Sequence, residues 1–391
     1  MGRAARSGHL RTEAAYTSHG LTLPRMRILH IIQCANLGGM EQTTLLRMEG
    51  LKARGYQVRL VSLNPIGGLG PLLERARIPA VGLPYRGAWG WRSLPAIYRA
   101  FTAQPADAVI MHGHNLAAMV ALAASRVGLG RRVLCIHYHH RGVKPAWQWR
   151  LIYSVAVRTF RAVTFPTDFV RAEAERLYPR LRTPSYTLPN PFPLPSLPSD
   201  QQRYEARHRL GLPLQAKVIG NGGWLIHRKR FDVFLRVGRA VASAVPEVIF
   251  AIAGDGPLRA ELMQLAQNLG IAGRVRWLGW RQDMADFYRA LDVLHFNSDW
   301  DALGRTPLEA AAFGVPVVAS VLHGGLGEFI DSPEYGHLIS AHDEDWLAEK
   351  IIFLLRNPEA GRRTALACRK RLEETCSREK DLDRICRLLG I

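Results

Sequence analysis

Residues Asp292 to Glu328 read DVLHFNSDWDALGRTPLEAAAFGVPVVASVLHGGLGE. The pattern predicts a buried strand, a polar turn, a helix that opens at Thr306–Pro307, a second buried strand and a Gly-Gly-Leu-Gly loop. Asp301 and Glu309 flank the turn with seven residues between them. This spacing puts Asp301 in the loop and Glu309 about one turn into the helix, so both can face a ligand lying across the helix start. Pro307 suits a first helical turn, where its missing N–H is not needed. The unpaired N–H groups of that turn and the helix dipole favour a phosphate. Carboxylates that accept hydroxyl hydrogen bonds beside a phosphate-binding helix end describe a site for a nucleotide-sugar.

Outward from that unit, short apolar runs alternate with helical stretches, as in a parallel sheet covered on both faces. Strands are expected at Arg27–Gln33, Gln57–Ser62, Ala108–His112, Val133–His137 and Ala162–Pro166, with helices between them, notably Glu41–Ala53 and Leu116–Val127. The run LPNPFPLPSLPSD at 188–200 holds five prolines, which neither a helix interior nor a central strand accepts. The rhythm restarts with Lys217–Asn221, Val248–Ala253, Val275–Leu278, Val293–Phe296 and Val315–Ala319, and Ser377–Leu389 reads as a final helix. The expected division is an extension or misplaced start at 1–25, a first α/β domain at 26–190, a linker at 191–200, a second domain at 201–376 and a last helix at 377–391. Two such doubly wound halves leave a ligand cleft at the carboxyl ends of their strands.

The chain has 391 residues, 48% hydrophobic and 22% charged, which suits a globular protein of two domains. No run approaches the roughly 18 apolar residues of a membrane-spanning helix. The first 25 residues lack an apolar segment of signal-peptide length. Cys34, Cys135, Cys368, Cys376 and Cys386 form no CxxC pair and read as reduced thiols of a cytosolic protein. Net charge is +19, unevenly spread. Residues 1–198 carry 26 Lys and Arg against 8 Asp and Glu, giving +18, and the rest carry 26 against 25, giving +1. A basic half attracts anionic partners. The segments PYRGAWGWRSLPAIYRAF (84–101) and KPAWQWRLIYSVAVRTFRAVTF (144–165) interleave tryptophan with arginine, as at a membrane interface. No nucleic-acid-binding module is present.

Three elements carry a resemblance to a known family: GGME at Gly38–Glu41 after the first strand, GDGPLR at Gly254–Arg259, and the Asp301-x7-Glu309 unit with its following GGLGE. In this order and spacing the chain resembles the retaining family 4 glycosyltransferases of the GT-B fold, from Met26 to its end. The resemblance implies two Rossmann-like domains, with acceptor binding mainly by the first and nucleotide-sugar binding mainly by the second. It also implies a last helix crossing back to the first domain, and a reaction needing neither metal nor cofactor.

By the same resemblance Gly38 and Gly39 lie beside the donor diphosphate, and His137 contacts the donor sugar near the reacting carbon. Lys229 matches a lysine that pairs with the diphosphate. The family's partner arginine falls on Gly223 here, leaving Arg228 and Arg305 as candidates to replace it. Asp301 stands where the family has glutamate and binds sugar hydroxyls, while Glu309 binds the ribose. Gly254 forms a turn near the base or ribose, and Thr306 opens the phosphate-binding helix. Expected partners are a UDP- or GDP-sugar, a glycan or lipid-linked acceptor hydroxyl in cell-surface polysaccharide synthesis, and an anionic membrane surface. The expected location is the cytoplasm, with peripheral docking on the cytoplasmic face of the inner membrane.

Alternatives are a nucleotide-sugar 2-epimerase of similar fold and a non-catalytic partner subunit, which the Gly223 and Asp301 departures favour. An NAD-dependent oxidoreductase lacks its G-x-G-x-x-G fingerprint. Zinc held by His112, His114, His137, His139 and His140 lacks a cysteine or carboxylate to complete the set. Asp299-Trp300-Asp301 reads as DxD, but that metal motif belongs to a different glycosyltransferase fold.

Overall fold

The computed structural model describes residues 26–391 apart from 37, 85–90, 139–143, 183 and 282. The expected extension at 1–25, Trp89 of the first aromatic stretch, and His139 and His140 lie outside the described residues.

The first domain is built on β1 (Arg27–Ile32), β2 (Gln57–Ser62), β3 (Ala80–Gly82), β4 (Ala108–His112), β5 (Arg132–Cys135), β6 (Ala162–Phe165) and β7 (Ser185–Thr187). They pair in parallel in the order β3-β2-β1-β4-β5-β6-β7. The second holds β8 (Lys217–Gly222), β9 (Val248–Ala253), β10 (Val275–Gly279), β11 (Val293–Asp301), β12 (Val317–Gly324) and β13 (His337–Ile339), in the order β10-β9-β8-β11-β12-β13, also parallel. Helices cover both faces, so the central strands are buried throughout: β4 and β9 have no accessible residue. In each sheet the order reverses beside the first strand, between β1 and β4 and between β8 and β11. Loops leaving a sheet at such a reversal diverge and leave a crevice. Gly38 follows β1, Gly223 follows β8 and Arg305 follows β11, so these loops form the floor of the cleft.

Differences from expectation cluster at strand ends. β11 continues through Asp301 instead of stopping at Phe296, because β12 stays in register with it through Trp300 opposite His323 and Asp301 opposite Gly324. Several of its polar residues are paired: Ser320 Oγ donates to Asn297 at 2.7 Å, and His342 bridges Ser320 at 2.6 Å and Asp299 at 3.0 Å. Asp301 therefore ends a strand and does not sit in a loop. β5 stops at Cys135, two residues short of His137, and β12 starts after Pro316. The three-residue strands β3, β7 and β13 are too short to show an alternation.

The proline-rich segment runs between the sheets, with Phe192 buried and its N–H donating to Cys376 at 3.1 Å. Ser199 then opens helix Asp200–Arg209 with a capping box to Gln202. At the other end, helix Arg378–Leu389 crosses back onto helix Gly39–Ala53 of the first domain. Leu382 packs where a side chain at Gly50 would stand, 2.5 Å from a Cβ there. The Arg47 guanidinium meets Asp381 at 2.7 and 2.8 Å, both 1% exposed. Across the cleft rim, Thr167 donates to the Ala302 carbonyl at 3.0 Å. Glu328 accepts the Asp168 and Phe169 N–H groups at 2.9 and 2.7 Å, serving the start of helix Asp168–Leu177.

Candidate active site

Between the domains lies a cavity of about 140 Å³ whose walls include Gly38, Gly39 and Gln42 from the first domain and Gly222, Gly223, Trp280, Arg281, Tyr288, Arg305, Thr306 and Glu309 from the second. Two of its glycines are closely approached by side chains. A Cβ at Gly38 would lie 2.6 Å from Glu41 Oε2, and one at Gly39 would lie 3.0 Å from Arg305 Cδ. The bare backbone of the GGME turn thus lets the second domain approach.

The helix that supplies Glu309 spans Arg305–Ala312, preceded by Gly304 at φ 76°, and no side chain caps it. Its start faces the cavity through Arg305 and Thr306, and Thr306 Oγ1 donates to the Gly222 carbonyl at 3.3 Å. Glu309 lies four residues beyond Arg305, and both its carboxylate oxygens are held. Oε1 takes Arg305 Nε at 2.5 Å, and Oε2 takes the Tyr288 hydroxyl at 2.7 Å. Burial and the neighbouring Glu309 push the Tyr288 hydroxyl well above its usual range, so it stays a donor. Arg305 reaches across the cleft to the Gly39 carbonyl at 3.2 Å, Thr43 at 2.9 Å and Gln42 at 3.2 Å. It therefore ties the helix start of the second domain to the GGME turn of the first.

Lys229, Arg228, Asp301 and Gly254 sit beside this cavity without lining it. Lys229 ion-pairs with Asp301 and lies over the Phe296 ring. Asp301 also accepts the Gly304 N–H at 2.9 Å. Burial would raise the Asp301 carboxyl, but Lys229 and the Gly304 N–H outweigh it and hold the group below the usual range. Arg228 donates to the Trp300 carbonyl and lies against the Trp300 ring, turned from the cavity. Gly254 meets Gly223 back to back: a Cβ at 254 would lie 1.9 Å from the Gly223 carbonyl oxygen. Gly223 itself has φ 142°, a conformation L side chains rarely adopt, with open space beside it. That backbone accounts locally for glycine at a place where the resemblance expects arginine.

His137 does not end a strand. It lies past the end of β5, its Nε2 is 3.2 Å from His112 Nδ1, and its ring also bonds the Asn190 side chain. Burial, with Arg47 and Arg305 nearby, holds its pKa down at about 3. Among the described residues no group of three or more His, Cys, Asp or Glu is arranged to hold a metal ion.

Arg281, Trp280 and Tyr288 escaped the sequence reading. Arg281 Nε is buried in the cavity wall with no hydrogen-bond partner among the described residues. Trp280 and Trp224 meet edge to face at 6.2 Å and are 48% and 61% exposed at the rim. The position just past β10, at a strand's carboxyl end, was the available signal for Trp280 and Arg281. A larger cavity of about 590 Å³ lies near Pro198, Phe313 and Arg362. It holds none of these residues, and its Arg203 and Asp292 are already paired at 2.8 Å.

Comparison with known proteins agrees with this geometry. Residues 37–194 match the model described as Glycosyltransferase Family 4, and residues 202–371 match that of glycosyl transferases group 1. The lipopolysaccharide core biosynthesis glycosyltransferase LpsE of Rhizobium meliloti is 33% identical over 184 residues, 47% of this chain and 53% of that protein. The match thus spans about half the length of that relative. An uncharacterized glycosyltransferase of Haemophilus influenzae is 25% identical over 335 residues, covering 84% of this chain and 90% of its own. Among solved structures, Anabaena HepE in complex with UDP and glucose superposes with a TM-score of 0.79 at 22% identity, over 94% of this chain and 100% of that one. The two family models fall one on each domain, and the chain belongs to the family 4 glycosyltransferases, with the GT-B fold.

Proposed function

We propose that this protein transfers a sugar from a nucleotide-diphosphate sugar to a hydroxyl of a glycan or lipid-linked acceptor, with retention at the anomeric carbon and without a metal ion. The observation that carries the reading is the interdomain cavity. Around it a bare glycine turn, an uncapped helix start, Arg305, Arg281 and the carboxylate of Glu309 converge. A diphosphate needs charge compensation in a closed cleft, and Arg281 and Arg305 supply it with the helix N–H groups. Glu309 then takes the ribose hydroxyls, exchanging Arg305 or Tyr288 for the ligand. Lys229 and Asp301, beside the cavity, face the sugar end. UDP is the first nucleotide to test, since HepE was solved with UDP and UDP-glucose. A cell-surface glycan acceptor accords with relatives named for lipopolysaccharide core synthesis.

The proposed step is front-face substitution. The acceptor oxygen bonds to the anomeric carbon on the face from which the diphosphate oxygen leaves, and the acceptor proton passes to that oxygen. Catalysis is then positioning and charge stabilisation, with domain closure excluding water. Docking on the cytoplasmic membrane face is part of the proposal. Trp91, Tyr98, Trp147 and Leu151 are exposed on the basic first domain, and no helix among the described residues is long and apolar enough to cross a membrane.

The test is a panel of UDP-, GDP- and ADP-sugars. One class should raise the melting temperature, since a ligand binding only the folded state stabilises it, and Glu309→Ala should remove the shift. Lys229→Ala should abolish transfer. The Lys229–Asp301 pair favours a second reading, a non-catalytic partner subunit, because it ties up the lysine expected at the diphosphate. Binding without turnover across several acceptors would support that reading.

A further inference from the structure

His30 within β1, His112 at the end of β4 and His137 two residues past β5 align a row of imidazoles that runs from the first domain's core toward the side where Arg305 stands. His30 on β1 stands with Nδ1 3.2 Å from Nε2 of His112 on β4, and His112 Nδ1 stands 3.2 Å from Nε2 of His137. Successive ring centroids are 5.5 Å apart and the planes tilt by only 14° and 21°. His30 and His112 are 0% and 1% exposed. At the outer end Asn190 lies near His137, and at the inner end His30 Nε2 is buried with no partner among the described residues.

Each ring is neutral, since burial with Arg47 nearby disfavours protonation of all three. A neutral imidazole carries one N–H and one bare nitrogen. The row can therefore point only one of two ways, and all three rings must agree. In one sense His30 Nδ1–H donates to His112, His112 Nδ1–H donates to His137, and His137 keeps its proton on Nδ1. The opposite sense puts the His137 proton on Nε2 and buries an unmatched N–H at His30 Nε2. A buried N–H left without an acceptor at His30 Nε2 costs more than a bare ring nitrogen there, which selects the first sense.

We infer that His30 and His112 are positioning residues that lock His137 as its Nδ1–H tautomer, so that His137 donates a hydrogen bond at the cleft and has no free nitrogen to accept a proton. The functional half of this inference rests on the glycosyltransferase reading above. In that setting His137 can exchange Asn190 for a ligand oxygen but cannot act as the base that deprotonates the acceptor.

The test uses the full chain with 15N-labelled histidine and long-range proton–nitrogen spectra, which report the tautomer without any turnover. His112 and His137 should both show the Nδ1–H pattern, unchanged between about pH 8 and 6. His112→Phe keeps a flat ring but removes the donor, and should convert His137 to a mixed or Nε2–H pattern. It should lower kcat by about tenfold, the lower end for losing a group that orients an active-site histidine, while KM for the nucleotide-sugar stays within about twofold. His112→Gln offers an amide N–H to His137 and a carbonyl to His30, and should restore the Nδ1–H pattern and recover part of the lost turnover. An Nε2–H signal for His137 in the unsubstituted protein, or a His137 signal indifferent to His112→Phe, overturns the inference. Absence of sugar transfer with the expected spectra counts against the glycosyltransferase reading and leaves the tautomer lock standing.

Discussion

Mild acid should unfold this protein, and the cause is its enclosed histidines. Burial holds His30, His137 and His295 at a pKa of about 3 and His114 at about 4, and it holds His112 well below its usual range. In the unfolded chain the same rings titrate near 6.5. A histidine whose folded pKa is depressed contributes nothing adverse above that value. As pH falls below it the unfolded state takes up a proton that the folded state refuses, so stability falls until the folded pKa is reached. The window here runs from about 6.5 down to about 4.

Each such ring gives a slope of about 1.4 kcal/mol per pH unit, and five give about 7 kcal/mol per unit near pH 5. Glu41 and Glu328, whose carboxyls burial raises, oppose this slightly. A total stability of about 5–15 kcal/mol would be exhausted within one to two units. Urea unfolding followed by circular dichroism at fixed ionic strength from pH 8 to pH 5 measures the slope directly. His295→Phe isolates one ring's contribution: His295 stacks on Phe234 at 5.4 Å, and its Nε2 has no partner among the described residues. Losing it should reduce the slope by about 1.4 kcal/mol per unit. Stability that stays within about 1 kcal/mol between pH 7 and 5, against that expected slope, would show that the folded rings take up protons, and the reasoning would fail.

Three further outcomes are expected. Asp381→Asn leaves Arg47 buried without its countercharge and should cost about 3–5 kcal/mol of unfolding free energy, loosening the crossing helix; a change under about 1 kcal/mol would mean that water reaches the pair. Gly254→Ala drives a methyl group into the Gly223 carbonyl and should cost about 1–3 kcal/mol, visible as a lower melting temperature, together with loss of donor-induced stabilisation. Transfer should continue at an undiminished rate in excess chelator, and activity that vanishes and returns with added magnesium would contradict a charge site made of arginines and backbone N–H groups.

Asp301 and Lys229 show where local reading stops. Asp301 is marked by its spacing from Glu309 and Lys229 by the family resemblance, yet their ion pair exists because β8 and β11 are neighbours in the sheet. Arg305 was one of two arginines proposed to stand in for the missing family arginine. Tertiary placement separates them: Arg305 lines the cavity, whereas Arg228 is turned onto Trp300. Arg281 carries no motif, and only its place in the cavity wall sets it apart. For His137 the expected strand end is two residues off, since β5 ends at Cys135.

What the chain determines by itself is the alternation of apolar runs and helices, the proline break, the Asp301-to-Glu309 spacing and the glycine turns. All of these express short-range rules: burial periodicity, φ restrictions and helix start chemistry act over a few residues. What only the tertiary structure decided is which charges meet. Arg47 with Asp381, Lys229 with Asp301 and Arg305 with Gly39 join residues that sequence distance leaves unrelated. Electrostatic pairing depends on separation in space and on exclusion of water, and both are set by how the two sheets and the returning helix pack.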